Sequence, residues 1–228
     1  MCNDYELNMA LEEMNAAIDR QLGGAPPVQI PLNFEAGQAN RPWNRRVFPK
    51  TFGLILRPID PAAPGQGIEP AVAWWNLTPA RHSEPLKAWT YACNNARSED
   101  MAEKSTFRNA VKRRRCLIPA TAFREWTGKT KGQKVQHRID RRDGELMLLA
   151  GLWETAHPAD QGPTDTYSMV MTAAAGDDEV APFHNRQPVL LDAAGARTWL
   201  DLDADWRGLM NGPPTGTYRF DPPEPSMI

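Results

Sequence analysis

In the stretch Cys116-Leu-Ile-Pro-Ala-Thr-Ala-Phe-Arg-Glu-Trp126, apolar side chains run almost without interruption up to a single carboxylate. This pattern predicts an extended and largely buried segment in the middle of the fold. The carboxylate, Glu125, lies between Arg124 and Trp126. A carboxylate in such surroundings is either paired with a cation or has a raised pKa that suits proton transfer. From these residues alone the ion pair is the more common outcome.

Short apolar runs on both sides of this segment predict further strands of the core. They are Phe52 to Arg57, Ala71 to Trp75, Leu146 to Trp153 and Tyr167 to Thr172. The turn from Pro58 to Gly67, which is rich in Pro and Gly, separates the first two. The charged stretch that contains Lys129, Lys131 and Lys134 is typical of a hairpin tip.

Apolar residues at helical spacing predict three helices. The first extends from Leu7 to Leu22, the second starts near Ser98 and ends in a basic last turn from Lys112 to Arg115, and the third covers Ala193 to Leu200. A basic last turn suits the helix dipole, so part of that charge needs no functional explanation. The stretch from Ala25 to Asn44 is predicted to be an irregular connection.

Length and composition predict a single domain with a tail. The chain has 228 residues, enough for one sizeable core. We expect a domain over residues 1–212 and a Pro-rich tail over residues 213–228 that packs little. No apolar run approaches about 18 residues and no signal pattern precedes the first helix, so a cytoplasmic protein without membrane contact is expected.

Cysteine count and net charge exclude several classes of protein. The 3 cysteines, Cys2, Cys93 and Cys116, are odd in number and show no C-x-x-C spacing, which argues against a disulfide framework and a structural zinc site. No metal or other cofactor is expected. The formal net charge is −2, so a nucleic-acid partner would have to be held by a local basic surface.

The first residues, Met1-Cys2-Asn3, carry a candidate reagent. Cysteine is small enough for the preceding methionine to be removed, which would leave a free α-amine beside a thiol. The amine, with a pKa of roughly 7.7–8.0, is partly neutral and nucleophilic at pH 7. An aldehyde can form an imine with this amine, and the thiol can then close a five-membered thiazolidine within the same residue.

Two stretches have the composition of a nucleic-acid contact. The end of the irregular connection, Arg41-Pro-Trp-Asn-Arg-Arg46, suits a phosphate backbone, although a solvated loop is the more common structure. Trp74 and Trp75 are adjacent, so on a strand they would face opposite sides. Either one indole is exposed and can stack on a base, or both are buried packing residues.

Several segments resemble, in one order, the SOS response-associated peptidase (SRAP) family. They are Cys2, Asn95-Ala-Arg-Ser-Glu99, Arg115-Cys-Leu-Ile-Pro-Ala with Phe-Arg-Glu-Trp126, Gly151-Leu-Trp-Glu154, Thr172, and His184-x-Arg-x-Pro-Val189. The resemblance implies an α+β fold, a single domain with a bent, mostly antiparallel, barrel-like β-sheet core flanked by helices. This chain reads Cys2-Asn-Asp4 where many members have Cys-Gly-Arg, and Trp75-Asn-Leu77 where the usual segment is Trp-Gly-Leu.

The resemblance also implies site residues. Cys2 would be the nucleophile, Asn95 the amide that positions it, Glu125 the general acid and base, and His184 the residue that assists opening of the sugar. The expected DNA-binding residues are Arg97, Trp74, Trp75, Thr172, Arg186, Arg45 and Arg46.

The activity that the resemblance implies is covalent capture of abasic sites in single-stranded DNA through a Cys2 thiazolidine, which would shield the lesion. Strand cleavage by β-elimination is an implied side activity. The expected protein is a monomer whose partner is single-stranded DNA, and it would be nucleoid-associated when bound. Two alternatives remain open: an N-terminal-cysteine peptidase or amidohydrolase, and a non-catalytic single-strand-binding module.

Overall fold

The structure, a computed structural model, describes residues 2–23, 45–60, 67–128, 134–222 and 224–225. Most of its regular structure is β. The strands are β1 Tyr5–Leu7, β2 Arg45–Val47, β3 Phe52–Pro58, β4 Ile68–Trp75, β5 Asn95–Arg97, β6 Arg115–Ala120, β7 Ala122–Thr127, β8 Val135–Arg141, β9 Met147–Ala156, β10 Thr164–Ala173, β11 Arg186–Pro188, β12 Leu190–Leu191, β13 Tyr218–Phe220 and β14 Glu224–Pro225. The helices are α1 Leu11–Leu22, α2 Arg108–Arg113 and α3 Ala193–Leu200, with 3₁₀ turns at Leu86–Ala88 and Arg207–Leu209.

The smaller sheet has the strand order β13-β8-β7-β1-β2, with β14 also paired to β8. All of its pairs are antiparallel. The register places Tyr5 opposite Phe123 and Glu125 opposite His137. Because directly opposed residues point to the same side of a sheet, these four side chains share its inner face.

The larger sheet has the strand order β11-β10-β4-β3-β6-β9-β12, and β5 is added beside β10. Strand β9 pairs with β10 as well as with β6, so β10, β4, β3, β6 and β9 close into a barrel-like ring. The pairs of β10 with β4 and with β5 are parallel, and the others are antiparallel. The expected α+β, mostly antiparallel, barrel-like core with flanking helices is therefore confirmed.

Two hydrophobic cores lie on the two faces of the larger sheet. One core joins it to the smaller sheet and includes Cys2, Tyr5, Trp75, Phe123 and Tyr218. The other joins it to the helices, through residues such as Met14, Ile18, Val111 and Trp199. The larger sheet is thus the middle layer, covered on both sides.

The junction between the two sheets is the Cys116–Trp126 segment. Strand β6 belongs to the larger sheet and β7 to the smaller one, and only Thr121 separates them. The chain therefore crosses from one sheet to the other within this segment, and Glu125 reaches the space between the sheets at its end.

Three predicted elements differ from the structure. Leu7 belongs to a strand, and the first helix begins only at Leu11. The second helix is shortened to Arg108–Arg113, because residues 98–107 form turns. The expectation that the C-terminal tail packs little is wrong for β13, which pairs with β8 and buries Tyr218 to 1% exposure. The loop from Ala25 to Asn44 and Lys129 to Gly132 lie outside the described residues.

None of the helices in the described residues has the length and apolar character needed to cross a membrane.

Candidate active site

The N-terminal segment is fixed by hydrogen bonds from two other parts of the chain. The Asn95 Nδ2 donates to the Cys2 carbonyl oxygen at 2.7 Å, and the Asn94 Nδ2 donates to the Asn3 Oδ1 at 3.0 Å. On the other side, the Arg124 backbone N–H donates to the Asp4 carbonyl at 2.9 Å. Strand β5 and strand β7 therefore hold residues 2–4 between them.

Glu125 lies on β7 beside this segment and is only 4% exposed. Its Oε1 has no hydrogen-bond partner among the described residues, and no ion pair with it is found there. Burial raises its pKa to about 7, against the smaller lowering effects of the positive amino terminus and of the Trp126 backbone N–H. No described side chain therefore forms the ion pair expected for Glu125. Its neighbour Arg124 pairs instead with Glu6, on the opposite face of the strand.

The Cys2 thiol is fully buried and stays protonated at neutral pH. Burial raises its pKa, and the negative charge of Glu125 raises it further. The Sγ donates weakly to the Asp4 carbonyl oxygen at 3.5 Å. Glu125 directly follows Arg124, whose backbone N–H bonds the Asp4 carbonyl, and Asn95 bonds the Cys2 carbonyl, so the structure brings Cys2, Asn95 and Glu125 into one region.

His184 reaches the same region from the turn that precedes β11. Its Nδ1 lies 3.0 Å from the Arg186 backbone nitrogen and 3.2 Å from the Arg186 carbonyl oxygen, so the ring is held to the Arg186 backbone in either tautomer. Burial lowers its pKa, and so does the positive amino terminus, which also acts on Glu125. The ring of the preceding residue, Phe183, lies 4.6 Å from the ring of His137, the residue opposite Glu125.

The chemistry that this arrangement allows is proton transfer next to a nucleophile. Buried polar atoms are nearly always hydrogen-bonded, so unpaired ones indicate a place for a substrate or water. The Oδ1 of Asn95 and the Oε1 of Glu125 are such atoms within the described structure. Among the residues that the structure describes, no group of three or more His, Cys, Asp and Glu side chains has the geometry to hold a metal ion.

The predicted arginines differ in how far they are available to DNA. Arg97 ends β5, two residues after Asn95, and is exposed. Arg186 is held by Glu99, with its Nη1 2.6 and 2.7 Å from the two carboxylate oxygens. Arg45 donates to the Phe52 carbonyl oxygen and Arg46 pairs with Asp4. Arg97 is therefore the best placed of the four for a phosphate.

The two adjacent tryptophans are both buried. Trp75 is 0% exposed, lies between Tyr5 and Tyr167, and donates its Nε1–H to the Asn94 carbonyl at 2.7 Å. Trp74 is 7% exposed and packs against Phe52. The prediction that they contact DNA is wrong, because β4 runs inside the middle layer and both of its faces are covered.

Thr172 is also a poor candidate for DNA contact. Its side chain is 5% exposed and its Oγ1–H donates to the Met210 carbonyl at 2.8 Å. Side chains alternate along a strand, and Met169 and Met171 of β10 face the core that contains Cys2. Thr172 therefore points to the opposite face of the sheet.

One residue that anchors the site, Asn94, and one exposed ring close to it in the sequence, Tyr91, were missed in the sequence. Asn94 anchors Asn3, and the doubled Asn94-Asn95 was the available signal. Tyr91 is 67% exposed, with its ring 4.9 Å from that of Trp89, three residues before Asn94. Nothing in its local sequence distinguishes this exposed ring from a buried one.

The basic end of α2 does not lie with the site. Its Lys112 and Arg113 are exposed, whereas Ala110 and Val111 pack into the core on the helix side of the larger sheet. Asn95 faces the other side of that sheet. The idea that this run shares a face with the basic stretch around Arg45 and the site is therefore not supported.

A family profile matches most of the chain, and individual relatives match about half of it. The profile of the family described as SOS response associated peptidase (SRAP) matches residues 1–215. The chain is 32% identical over 111 residues to the abasic site processing protein YoqW of Bacillus subtilis, which is 49% of each chain. It is 30% identical over 132 residues to the abasic site processing protein YMR114C of Saccharomyces cerevisiae, 57% of this chain and 34% of that protein. It is 28% identical over 150 residues to the abasic site processing protein HMCES of Gallus gallus, 56% of this chain and 44% of that protein. Each match thus spans about half or less of the relative's length.

Solved structures show the same fold. A crystal structure of a protein from Bordetella bronchiseptica superposes with a TM-score of 0.75 at 23% identity, covering 96% of this chain and 98% of that one. Another, from Bacteroides thetaiotaomicron, gives a TM-score of 0.75 at 19% identity, covering 96% and 90%. With the family profile matched over residues 1–215 of 228, this chain belongs to the SOS response associated peptidase family.

Proposed function

We propose that this protein captures abasic sites in single-stranded DNA covalently, through a thiazolidine formed on Cys2 after removal of Met1. The observation that carries the proposal is the grouping of Cys2, Asn95 and Glu125, in which the backbone of the nucleophile is clamped beside a buried carboxyl group with an unpaired oxygen. The names of the relatives, abasic site processing proteins, support the same substrate.

The reaction begins at the amine of Cys2. The ring-opened abasic sugar presents an aldehyde, and the neutral amine adds to its carbonyl carbon. Loss of one water molecule gives the imine. The Cys2 sulfur then attacks the imine carbon and loses its proton as the imine nitrogen gains one, which closes the thiazolidine. The net change is aldehyde plus aminothiol to thiazolidine plus water.

The protonation states of the site favour this order. Glu125, with a pKa of about 7, can accept and return a proton near neutral pH. The raised pKa of Cys2 keeps sulfur as a thiol until a base is present, so the amine reacts first. His184, whose pKa is lowered by burial so that the ring is neutral near neutral pH, can move a proton to and from the sugar ring oxygen. Asn95 does not titrate, so it holds Cys2 over a wide pH range.

The surface near the site supports a single strand as the partner. Arg97 is an exposed cation two residues from Asn95, and Tyr91 is an exposed ring four residues from it. Cations hold the phosphates of a single strand and aromatic rings stack on its unpaired bases. Tyr91 therefore replaces the two buried tryptophans as the aromatic contact.

The test is incubation of the purified protein with single-stranded DNA that carries one abasic site, followed by denaturing electrophoresis. We expect a shifted band for the parent and for Cys93→Ala, which removes another buried cysteine, and no shifted band for Cys2→Ala. A tag that blocks the N-terminus should act like Cys2→Ala. A band of equal strength in Cys2→Ala would refute the proposal.

A peptidase reading is less well supported by the site. A cysteine peptidase needs a thiolate at neutral pH, and low thiol pKa values arise beside cations. Here burial and Glu125 act in the opposite direction on Cys2. Peptide turnover without a shifted band would favour the peptidase, and salt-sensitive retention of DNA without either would favour a non-catalytic binding module.

A further inference from the structure

His184 is carried by a turn that has little regular structure of its own. Residues 177–183 form successive turns between β10 and β11, and the His184 backbone N–H donates to the Val180 carbonyl at 3.0 Å. Such a segment depends on contacts with other elements for its position. The position of the His184 ring is therefore set by whatever holds this turn.

Strand β13 holds the turn at two points. The ring of Phe220 stacks on the ring of Phe183 at 4.9 Å, with an angle of 17° between the planes. The Tyr218 backbone N–H donates to the Glu179 Oε2 at 3.1 Å. One contact is made by a side chain adjacent to His184, and the other lies five residues before His184.

The Phe183 ring has a second neighbour on the same sheet. The Phe183 ring also contacts the His137 ring, with 4.6 Å between the two ring centroids. His137 is opposite Glu125 in the register of β7 and β8. His137 itself lies 2.8 Å from the Thr127 Oγ1 through its Nε2. Phe183 therefore packs between the ring of His137 on β8 and the ring of Phe220 on β13.

Strand β13 also packs against the core next to Cys2. The Tyr218 ring meets the Phe123 ring edge-on at 5.6 Å, and Phe123 lies opposite Tyr5. Tyr218 and Cys2 belong to the same buried cluster. Strand β13 therefore contacts both the turn that carries His184 and the core next to Cys2. It begins three residues after the family profile match, which ends at residue 215.

We propose that β13 is a positioning element of the active site, in which Phe220 acts as a positioning residue for His184 through the Phe183 ring and Tyr218 anchors the same turn through Glu179. The inference rests on the proposed function of the site. It assigns a role to a segment outside the residues that the family profile covers.

The test compares three substitutions on one strand. Phe220→Ala removes the ring, Phe220→Leu keeps an apolar side chain without a stacking surface, and Arg219→Ala is the control. Arg219 points to the other face of the sheet, where it bonds Asp140. Crosslinking rates are measured in the parent background and in a His184→Ala background.

We expect Phe220→Ala to lower the crosslinking rate by about tenfold, since small misplacements of a catalytic group can cost up to about 100-fold. In the His184→Ala background the same substitution should change the rate by less than about twofold, because effects that act through one residue are not additive. Arg219→Ala should stay close to the parent. An equal loss in both backgrounds, or an equal loss for Arg219→Ala, would overturn the proposal.

A second measurement does not depend on crosslinking. The His184 ring can be titrated by NMR in the parent and in Phe220→Leu, which retains most of the buried volume. Burial lowers the His184 pKa in the parent. We expect the pKa to rise toward its ordinary value in the variant as the turn is released, and an unchanged titration would overturn the proposal. If the parent itself forms no crosslink, the proposed function fails, and this titration still decides whether β13 positions His184.

Discussion

Glu125 combines burial, an unpaired oxygen and a pKa of about 7, and this combination has a cost for stability. Its folded-state pKa exceeds the ordinary value of 4.5, so the folded protein holds this proton more tightly than the unfolded chain does. The contribution to stability is therefore complete below about pH 4.5 and is lost as the pH rises through about 7.

Replacing Glu125 with glutamine should separate stability from activity. Glu125→Gln cannot ionise, so at pH 8 we expect its free energy of unfolding to exceed that of the parent by on the order of 3 kcal/mol, and to match it near pH 4. Denaturant unfolding at pH 4.5, 6 and 8 measures this difference. The crosslinking rate should fall by about 10²–10⁴-fold with loss of the general acid and base. A variant that is less stable than the parent at pH 8 would contradict the account.

Asn95 should hold Cys2 through the hydrogen bond that its side-chain amide donates, and not through the volume of its side chain. Asn95→Ala leaves the buried Cys2 carbonyl without a partner, at a cost of about 1–3 kcal/mol in unfolding free energy. Asn95→Asp keeps the shape but sets a carboxylate against that carbonyl oxygen, so we expect a larger loss. Thermal unfolding and crosslinking rates of both variants measure the effect, and a milder phenotype for aspartate would show that the amide donor is not needed.

Individual site residues could be predicted from the sequence only through their motifs. Cys2, Asn95 and Glu125 come from three separate segments, and their meeting depends on the β1–β7 pairing and on β5. The local sequence around Glu125 favoured an ion pair, but the adjacent cation, Arg124, points to the opposite face of the strand. Arg124 finds a partner because its side of β7 is polar, whereas Glu125 lies on the enclosed inner side. This difference depends on where β7 lies in the fold.

At the scale of elements, the three-residue strand β1 is fixed by charge on its outer face. Glu6 pairs with Arg124 and with Arg138, and Asp4 pairs with Arg46. The Glu6 and Arg124 side chains are each 8% exposed. This face holds in place the strand that leads directly from Cys2.

Breaking the buried pair should cost far more than breaking an exposed one. Arg124→Met leaves the buried Glu6 with Arg138 as its remaining partner, for which we expect a loss of about 1.5–3 kcal/mol in unfolding free energy. Arg20→Met is the control, because its pair with Glu145 is largely exposed and worth about 0–1 kcal/mol. Equal unfolding midpoints for the two variants would show that the outer face does not hold β1.

Elements were predicted well where their apolar pattern is long and poorly where it is short. The predicted strands from residues 146 and 167 and the helix Ala193–Leu200 match the structure closely. Strands β1 and β13 were missed because three residues carry too little periodicity to distinguish a strand from a helix end or a tail. Trp74 and Trp75 needed knowledge that β4 lies in a middle layer, which no local pattern contains.

At the scale of the whole molecule, a net charge of −2 means that DNA must be held by a local cationic surface. We expect reversible binding of single-stranded DNA to weaken steeply with salt, with a slope of about −0.7 for each phosphate contacted. Arg97→Ala should make this slope shallower by about that amount. Lys112→Ala, on the helix side of the larger sheet, should leave it unchanged. Fluorescence anisotropy from 50 to 300 mM salt, on Cys2→Ala protein to prevent crosslinking, measures the slopes, and equal changes in both variants would contradict the assignment.

The complete enclosure of the Cys2 sulfur has a consequence for the protein between encounters with its substrate. A protonated thiol with no solvent contact is a poor target for peroxide and for alkylating drugs, which attack exposed thiolates. For the proposed capture of abasic sites, this enclosure would keep the Cys2 thiol reduced until the substrate binds.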